Sequence, residues 1–300
     1  MNTAAQTDTP ADTAAKLVES TSARLADAGI ETARLNAEVL LAHACNIDRS
    51  ALYAGWHRRV PAECRARFET MLTRRLAREP LQYIVGSQEF WSLDFLVTHA
   101  VLIPRPETEL LVELALRLPR AGVQHGRERA QHAAPLLCDL GTGSGCIAVA
   151  LARELPRAEI WAVDLSAAAL AVAAANAQRH AVADRIHFAE SDLLVAVGDL
   201  RFDAILSNPP YVCSDELQDS QPELGWEPCL ALDGGAAGLD VIKRVVTESH
   251  PRLKDSGWLI MEIGADQGSA VERLAHAAGF GPVSIQPDYA GLPRALVARR

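Results

Sequence analysis

Apolar positions along this chain change period twice. From residue 15 to about 79 they recur at helical spacing. Leu17, Val18, Thr21, Leu25 and Ala28 form one stripe, and Gly29 supplies a stop. Residues 34–44 form a second amphipathic helix. Asp48-Arg49-Ser50 reads as a cap and turn before a short third. Pro61 opens a fourth over 62–78, where Phe68, Met71, Leu72, Arg75 and Leu76 share a face. No strand signal intervenes, so a small domain of four or five helices is expected. Residues 80–86 break the pattern. Residues 89–104, rich in Phe, Trp, Leu, Val and Ile, read as a β-hairpin or two short strands. A helix over 110–118 follows, behind Arg105-Pro106-Glu107-Thr108-Glu109, whose proline and acids suit a helix start.

From Pro135 onward the pattern becomes a regular alternation. Strands are expected at 136–140, 159–164, 185–190, 202–207 and 258–263, and helices at 145–155, 166–180, 239–250 and 266–278. Strands alternating with helices predict an α/β domain, a parallel sheet covered on both faces. Two closing strands, at 282–287 and 294–299, have too little chain between them for a crossover and should run antiparallel. Residues 1–14 are polar and aperiodic and read as a disordered start. Residues 119–134 read as a surface loop and 211–236 as a long loop. The expected organisation is therefore a disordered start over 1–14, a helical domain over 15–86, a hairpin linker over 87–104 and an α/β domain over 105–300.

Composition refines this picture. At 300 residues and 49% apolar content, the chain can bury the cores of two domains. Net charge is −9, which argues against a protein that coats nucleic acid through its overall field. The charge is uneven. Residues 1–85 carry 11 basic and 10 acidic side chains, the remainder 18 and 28. Eight arginines fall within 49–80 (49, 58, 59, 65, 67, 74, 75 and 78). They read either as a solvated helical face or as a patch that docks a partner, a choice that charge reversal at Arg74, Arg75 and Arg78 would test. Six cysteines show neither CxxC nor a zinc-like spacing, so no metal site and a reducing compartment are expected. Cys138 and Cys146 read as small hydrophobes. With no apolar leader and no apolar run of membrane-spanning length, a soluble, cytoplasmic protein is expected.

The candidate chemistry sits at four strand ends. After the first comes Gly141-Thr142-Gly143-Ser144-Gly145, whose glycines permit a tight turn and close approach of a ligand. The spacing is GxGxG with no following lysine, which excludes a P-loop. Asp164 ends the second strand, where a carboxylate can accept both hydroxyls of a ribose; this suits NAD and S-adenosylmethionine equally. Ser191-Asp192-Leu193 follows the third. There the acid can take the exocyclic amine of an adenine and the leucine its face. A hydride partner for NAD is not evident. After the fourth strand stands Asn208-Pro209-Pro210-Tyr211. Two prolines remove two N–H donors and end the strand rigidly. The set resembles the class I S-adenosylmethionine-dependent methyltransferases, in which NPPY marks enzymes that methylate a planar nitrogen. The Asn208 side-chain oxygen can accept one N–H of such a nitrogen and the Pro209 carbonyl the other, while Tyr211 can stack on the flat group. Asn208, Pro209 and Tyr211 are the expected catalytic residues.

Further stretches narrow the substrate. They are Glu79-Pro80-Leu81-Gln82-Tyr83, Glu89-Phe90-Trp91, Pro104-Arg105-Pro106-Glu107-Thr108, Glu227-Pro228, Gly234-Gly235-Ala236-Ala237-Gly238, Glu262-Ile263-Gly264 and Asp288-Tyr289-Ala290-Gly291-Leu292-Pro293-Arg294. From about residue 15 onward the chain resembles the PrmC/HemK family, the glutamine-N5 methyltransferases of peptide chain release factors. The resemblance implies a seven-stranded, Rossmann-like catalytic domain that binds S-adenosylmethionine, with a helical domain for substrate recognition. It implies methyl transfer to the glutamine of the Gly-Gly-Gln motif of class 1 release factors. Gly141, Thr142, Gly143, Ser144, Gly145, Asp164, Asp192, Leu193 and Asn208 would contact the cofactor. Asn208, Pro209, Pro210, Tyr211 and Phe90 would meet the substrate glutamine, and Arg105, Glu107 and Thr108 would order the cofactor's methionine end. Some family members carry an aromatic at the Leu193 position, so apolar contact rather than stacking is expected there. The alternative is an amino methyltransferase acting on adenine or guanine in RNA or DNA. It would want a basic groove with interleaved aromatics, whereas residues 86–300 carry a net −10. A non-catalytic scaffold would be expected to have lost the glycine or NPPY positions. No nucleic-acid substrate, no membrane partner and a monomeric state are expected.

Overall fold

The computed structural model describes residues 13–117, 134–218 and 220–300. The polar start over 1–12 and the loop over 118–133 lie outside the described residues. Apolar residues at helical spacing build α1 (Ala14–Asp27), α2 (Ala33–Ala44), α3 (Arg49–Ala54) and α4 (Ala62–Leu76). Ala14 thus opens α1 rather than lying in an unstructured start. Asp48 caps α3 by accepting from the Ala51 amide at 2.7 Å. A short α5 (Leu81–Val85) follows where only a pattern break is legible, and Gly86 closes it in the left-handed conformation. Leu25, Leu40, Leu41, Phe68 and Leu72 fill the core of this unit.

The arginines of this region are largely structural. Arg75 is buried and its Nε donates to Asn36 Oδ1 at 2.8 Å. Arg74 holds Glu79 through two bonds, of 2.7 and 2.6 Å. Arg78 donates to the Ala28 and Gly29 carbonyls, and Arg67 to the Ala44 carbonyl. Arg49, with Arg34 and Tyr53, surrounds the buried Glu38 carboxylate. Arg75 is thus internal, whereas Arg58, Arg59 and Arg65 are exposed.

The chain divides into two units, Met1–Gly86 and Ser87–Arg300. The second opens with a hairpin of β1 (Ser87–Phe90) and β2 (Leu93–Leu96), turned by Trp91 and Ser92 at φ of 53° and 55°. The hairpin belongs to this unit rather than standing apart as a linker. Then come α6 (Glu109–Arg117), β3 (Leu136–Leu140), α7 (Cys146–Glu154), β4 (Glu159–Asp164), α8 (Ala167–Arg179), β5 (Ile186–Glu190) and β6 (Phe202–Ser207). The 211–236 stretch is not bare loop. It carries α9 (Ser214–Gln218) and single 3-10 turns at Pro222–Trp226 and Cys229–Ala231. The chain closes with α10 (Asp240–Arg252), β7 (Leu253–Glu262), α11 (Gly268–Ala277), β8 (Val283–Pro287) and β9 (Pro293–Arg299). β7 begins five residues earlier than its apolar run, across a register irregularity opposite β6.

The seven strands lie in the order β5-β4-β3-β6-β7-β9-β8. β5, β4, β3, β6 and β7 are mutually parallel, and β9 runs antiparallel to both β7 and β8. Strand order reverses between β3 and β6, so a crevice opens at their C-terminal ends. Alternate strand residues feed two apolar layers. Leu137, Ile160 and Leu206 pack with α6 and α7; Cys138, Leu140 and Ile205 pack with α10 and α11. No helix among the described residues is long and apolar enough to cross a membrane.

Three residues tie the frame around the crevice. Asn176, wholly buried on α8, accepts from the Leu96 amide at 2.7 Å and donates to the Leu96 and Ser144 carbonyls at 3.0 and 2.9 Å. It thereby joins the hairpin to the glycine loop. Gly145 (φ 80°) lets α7 approach α8 so closely that a Cβ there would sit 3.0 Å from the Ala173 Cβ. Asp139 is wholly buried in β3; its Oδ2 accepts from Thr142 Oγ1 at 2.6 Å and from the Ala148 amide. Its Oδ1 has no partner among the described residues. Burial raises the Asp139 carboxyl to about 7, against the pull of those two bonds.

Two outcomes are expected from this frame. Asn176→Ala should lower unfolding free energy by about 3 kcal/mol, because it strands one buried amide and two carbonyls; urea unfolding measures this. A carboxyl raised in the folded state contributes stability that is present below its ordinary value and lost as pH climbs through 7. The stability of Asp139→Asn relative to the parent should therefore rise by about 2–4 kcal/mol between pH 4 and pH 8. Urea midpoints that track each other across that range would refute the assignment.

Candidate active site

The crevice at the sheet edge holds a cavity of about 310 Å³. Its wall is drawn from the ends of β3, β4, β5 and β6, from residues 100–108 and from 228–233. β4 holds the first loop in place. The Val163 carbonyl accepts from the Gly141 and Thr142 amides at 2.9 and 3.0 Å. Asp164 Oδ2 accepts from the Gly143 amide at 2.8 Å and Oδ1 from the Ser166 amide at 2.9 Å. Asp164 keeps further lone pairs for a ligand, since an ionised carboxylate has about four acceptor sites. Gly141 and Gly143 have φ of 70° and 55°, and a Cβ on Gly141 would meet no atom within 4 Å. The backbone there faces open space that a ligand can approach closely.

The third strand end behaves differently from a simple adenine clamp. Leu193 lines the cavity with φ 48°, a conformation few side chains adopt, and its carbonyl accepts from Ser191 Oγ at 2.6 Å. Asp192 is at the cavity but exposed, and its Oδ1 lies 3.0 Å from Arg244 Nη2. Arg244, on α10, carries no motif and was not legible as a site residue.

At the end of β6, Ser207 Oγ donates to the Leu140 carbonyl at 2.9 Å and locks the two central strand ends together. Asn208 and Pro210 line the cavity. Pro209 is buried beside them. Asn208 Nδ2 donates to Thr108 Oγ1 at 3.1 Å, and Thr108 donates to Glu262 Oε2 at 2.6 Å. Tyr211 is half-buried. Its ring packs against the apolar layer of α10 and α11, and its hydroxyl donates to Glu262 Oε1 at 3.1 Å. Like Pro209, it lies outside the residues that line this cavity. Burial, then the Glu262 charge, pushes the Tyr211 phenol well above its ordinary value, so it stays a donor. Phe90 does not reach the cavity as expected. It is fully buried, edge-on to Phe95 in the hairpin core, and away from the cavity wall.

Two acids quoted only as motif letters prove to be organisers. Glu227 is buried; Oε2 accepts from the Ile103 amide at 3.0 Å and Oε1 pairs with Arg105, which lines the cavity. It pins the 101–108 segment from more than a hundred residues away. Glu262, at the end of β7, receives both Thr108 and Tyr211. An acid closing the apolar run Trp258-Leu259-Ile260-Met261 was the available signal, because a buried carboxylate needs partners.

The residues suit S-adenosylmethionine. The volume is that of a small-molecule site, the open glycine backbone admits close contact, Asp164 can accept hydroxyls and Ile147, Leu165 and Leu193 supply apolar walls. Asp192 and Arg105 bring charge to two other parts of the wall.

Sequence comparison places these features. Residues 16–86 match the family model of the PrmC N-terminal domain, and residues 128–222 that of the methyltransferase small domain. A release factor glutamine methyltransferase of Geobacter sulfurreducens is 43% identical over 285 residues, covering 95% of each chain. That of Cereibacter sphaeroides is 47% identical, covering 92% of this chain and 94% of its own. Among solved structures, the hMettl16 catalytic domain aligns with TM-score 0.54 at 16% identity, over 76% of this chain and 81% of its own. A methyltransferase from Pyrococcus furiosus aligns with TM-score 0.50 at 13% identity, over 77% and 96%. These two show the fold, a class I methyltransferase sheet. The full-length relatives show more: the chain belongs to the release factor glutamine methyltransferases.

Proposed function

We propose that this chain methylates the side-chain amide nitrogen, N5, of the glutamine in the Gly-Gly-Gln motif of class 1 peptide chain release factors, in support of translation termination. The observation that carries this is Asn208 in the cavity wall, its amide nitrogen bound to Thr108 and its carbonyl oxygen left for a substrate N–H. S-adenosylmethionine, when bound, supplies an electrophilic methyl group on a sulfonium centre. Gly141 to Gly145, Asp164, Asp192 and Leu193 are the residues that would hold it.

An amide nitrogen is a poor nucleophile because its lone pair is delocalised. Asn208 Oδ1 accepts one of its protons and the Pro209 carbonyl the other. Both acceptors aim the nitrogen and stabilise the positive charge that grows on it during transfer. Neither has to remove a proton beforehand; one returns to solvent once the new bond has formed. The rigid pair Pro209-Pro210 keeps the two acceptors in fixed relation.

The helical unit fits docking of the release factor away from the tripeptide, since three residues offer too small an interface for stable association. Its surface outside the helix-capping arginines would serve. The substrate places the reaction in the cytoplasm, with one copy of the chain acting on one protein. Methylation of adenine or guanine amino groups is disfavoured by the acidic catalytic half.

The test is methyl transfer from labelled cofactor to a release factor, to its Gln→Ala variant in Gly-Gly-Gln, and to bulk RNA. Label in the first alone is expected; label in RNA alone would overturn the reading. Asn208→Ala should cost at least about 100-fold in turnover. Its affinity for S-adenosylhomocysteine should stay within about fivefold of the parent's, because the loss belongs to the transition state. Asp164→Ala should do the reverse at the binding step, weakening S-adenosylhomocysteine by about tenfold or more in calorimetry.

A further inference from the structure

We propose that Glu262 is a positioning residue that fixes the polarity of the Asn208 side-chain amide, acting through the single hydroxyl hydrogen of Thr108. The inference rests on the functional reading above and deepens it, for it says how the site comes to prefer a nitrogen that donates hydrogen bonds.

A threonine hydroxyl has one hydrogen and two lone pairs. Thr108 spends its hydrogen on Glu262 Oε2 at 2.6 Å. Toward Asn208 it has only lone pairs to offer. Asn208 must therefore turn its NH₂ group to Thr108, which it does at 3.1 Å, and its carbonyl oxygen takes the opposite side. Thr108 and Asn208 both stand in the cavity wall, while Glu262 lies behind them, fully buried. A reversed Asn208 would present N–H groups to the substrate amide, donor against donor, and would suit a substrate oxygen instead.

The relay holds only while Glu262 is an acceptor at both oxygens. Burial raises the Glu262 carboxyl, and the bonds from Thr108 and Tyr211 act against that rise. Tyr211 donates to Oε1 at 3.1 Å. Arg294 lies close enough for its charge to favour the ionised carboxylate, opposing the rise caused by burial. Arg294 is itself held by the turn between β8 and β9, where Asp288 Oδ2 accepts its Nε at 3.1 Å and Oδ1 accepts the Ala290 and Leu292 amides. Gln267 braces the same region, donating to the Tyr211 carbonyl at 3.0 Å and accepting from the Gly264 amide at 2.9 Å. The Asp288–Arg294 turn and the Glu262-Ile263-Gly264 stretch, which no step of the methyl transfer uses directly, thus converge on the group that orients Asn208.

Glu262→Gln keeps the shape but gives Thr108 an amide donor, which frees the hydroxyl hydrogen for Asn208 Oδ1 and lets the amide reverse. With a release factor as substrate, kcat should fall by about tenfold or more, while KM and the dissociation constant of S-adenosylhomocysteine stay within about threefold. Thr108→Val should lose a similar factor, and Thr108→Ser, which restores the hydroxyl, should recover most of it. The Glu262→Gln, Thr108→Val double variant should fall no further than either single one, because all act through one amide. Losses that multiply in the double variant, or a Glu262→Gln enzyme with parental kcat, would overturn the proposal. So would Thr108→Ser as impaired as Thr108→Val, a comparison that stands even if the buried glutamine fails to fold. A parent enzyme that labels no release factor would overturn the functional reading and this proposal with it. A fully active parent with a fully active Glu262→Gln overturns the proposal alone.

Discussion

The end of β4 is where the catalytic unit is decided. One carbonyl, of Val163, and one carboxylate, of Asp164, together take the amides of Gly141, Thr142 and Gly143. Without them the loop after β3 would have three unsatisfied donors at the base of a cavity. With them it becomes a fixed cradle whose backbone faces the ligand. Ser207 then locks β6 to β3 by a bond to Leu140, so the substrate acceptor on Asn208 is indexed to the same cradle. The two reactants therefore meet in a geometry set by adjacent parallel strands, the stiffest part of the fold, rather than by flexible side chains.

A price is paid in buried carboxylates. Glu227, Glu262 and Asp139 are each almost fully inaccessible. Such groups are costly unless each finds donors. Glu227 and Glu262 find theirs on segments far away in sequence, and so act as staples that bring the 101–108 segment to the cavity. Asp139 is satisfied on one oxygen only, and burial raises its carboxyl to about 7. The site thus combines acids whose oxygens reach distant donors with one whose second oxygen has no partner among the described residues.

Much of this was legible beforehand, for stated reasons. β4 and β6 were readable to the residue because buried parallel strands are continuous apolar runs that end at a polar group, here Asp164 and Ser207. α5 and α9 were not, since five residues hold too little periodicity to register. The start of β7 was hidden because Lys254, Asp255 and Ser256 look like a turn. Motif reading pointed to Asn208 and the glycine loop, which line the cavity, and to Phe90, which is buried away from it, and Tyr211, which packs behind it. A motif fixes where the backbone lies, not which way an aromatic ring leaves it. Both rings turned into apolar layers, where burial of a large ring outweighs a wet cavity edge. The arginine-rich helices show the same limit. Charge counted along a sequence does not show which guanidinium already caps a helix or neutralises a buried acid.

The close approach of Gly145 to Ala173 has a consequence for how freely this sequence can drift. α8 reads AAALAVAAANAQR, a run so plain that it looks interchangeable. Yet Ala173 is small because α7 begins against it, and Asn176 in the same run reaches the hairpin and the glycine loop at once, while Ala167, Ala168, Ala171 and Ala175 stay exposed. Substitutions that are silent on most surface helices would at Ala173 and Asn176 push the cradle off its strand. The least distinctive stretch of the chain is thus among its least exchangeable, and mutational tolerance should dip there as sharply as at the conspicuous motifs.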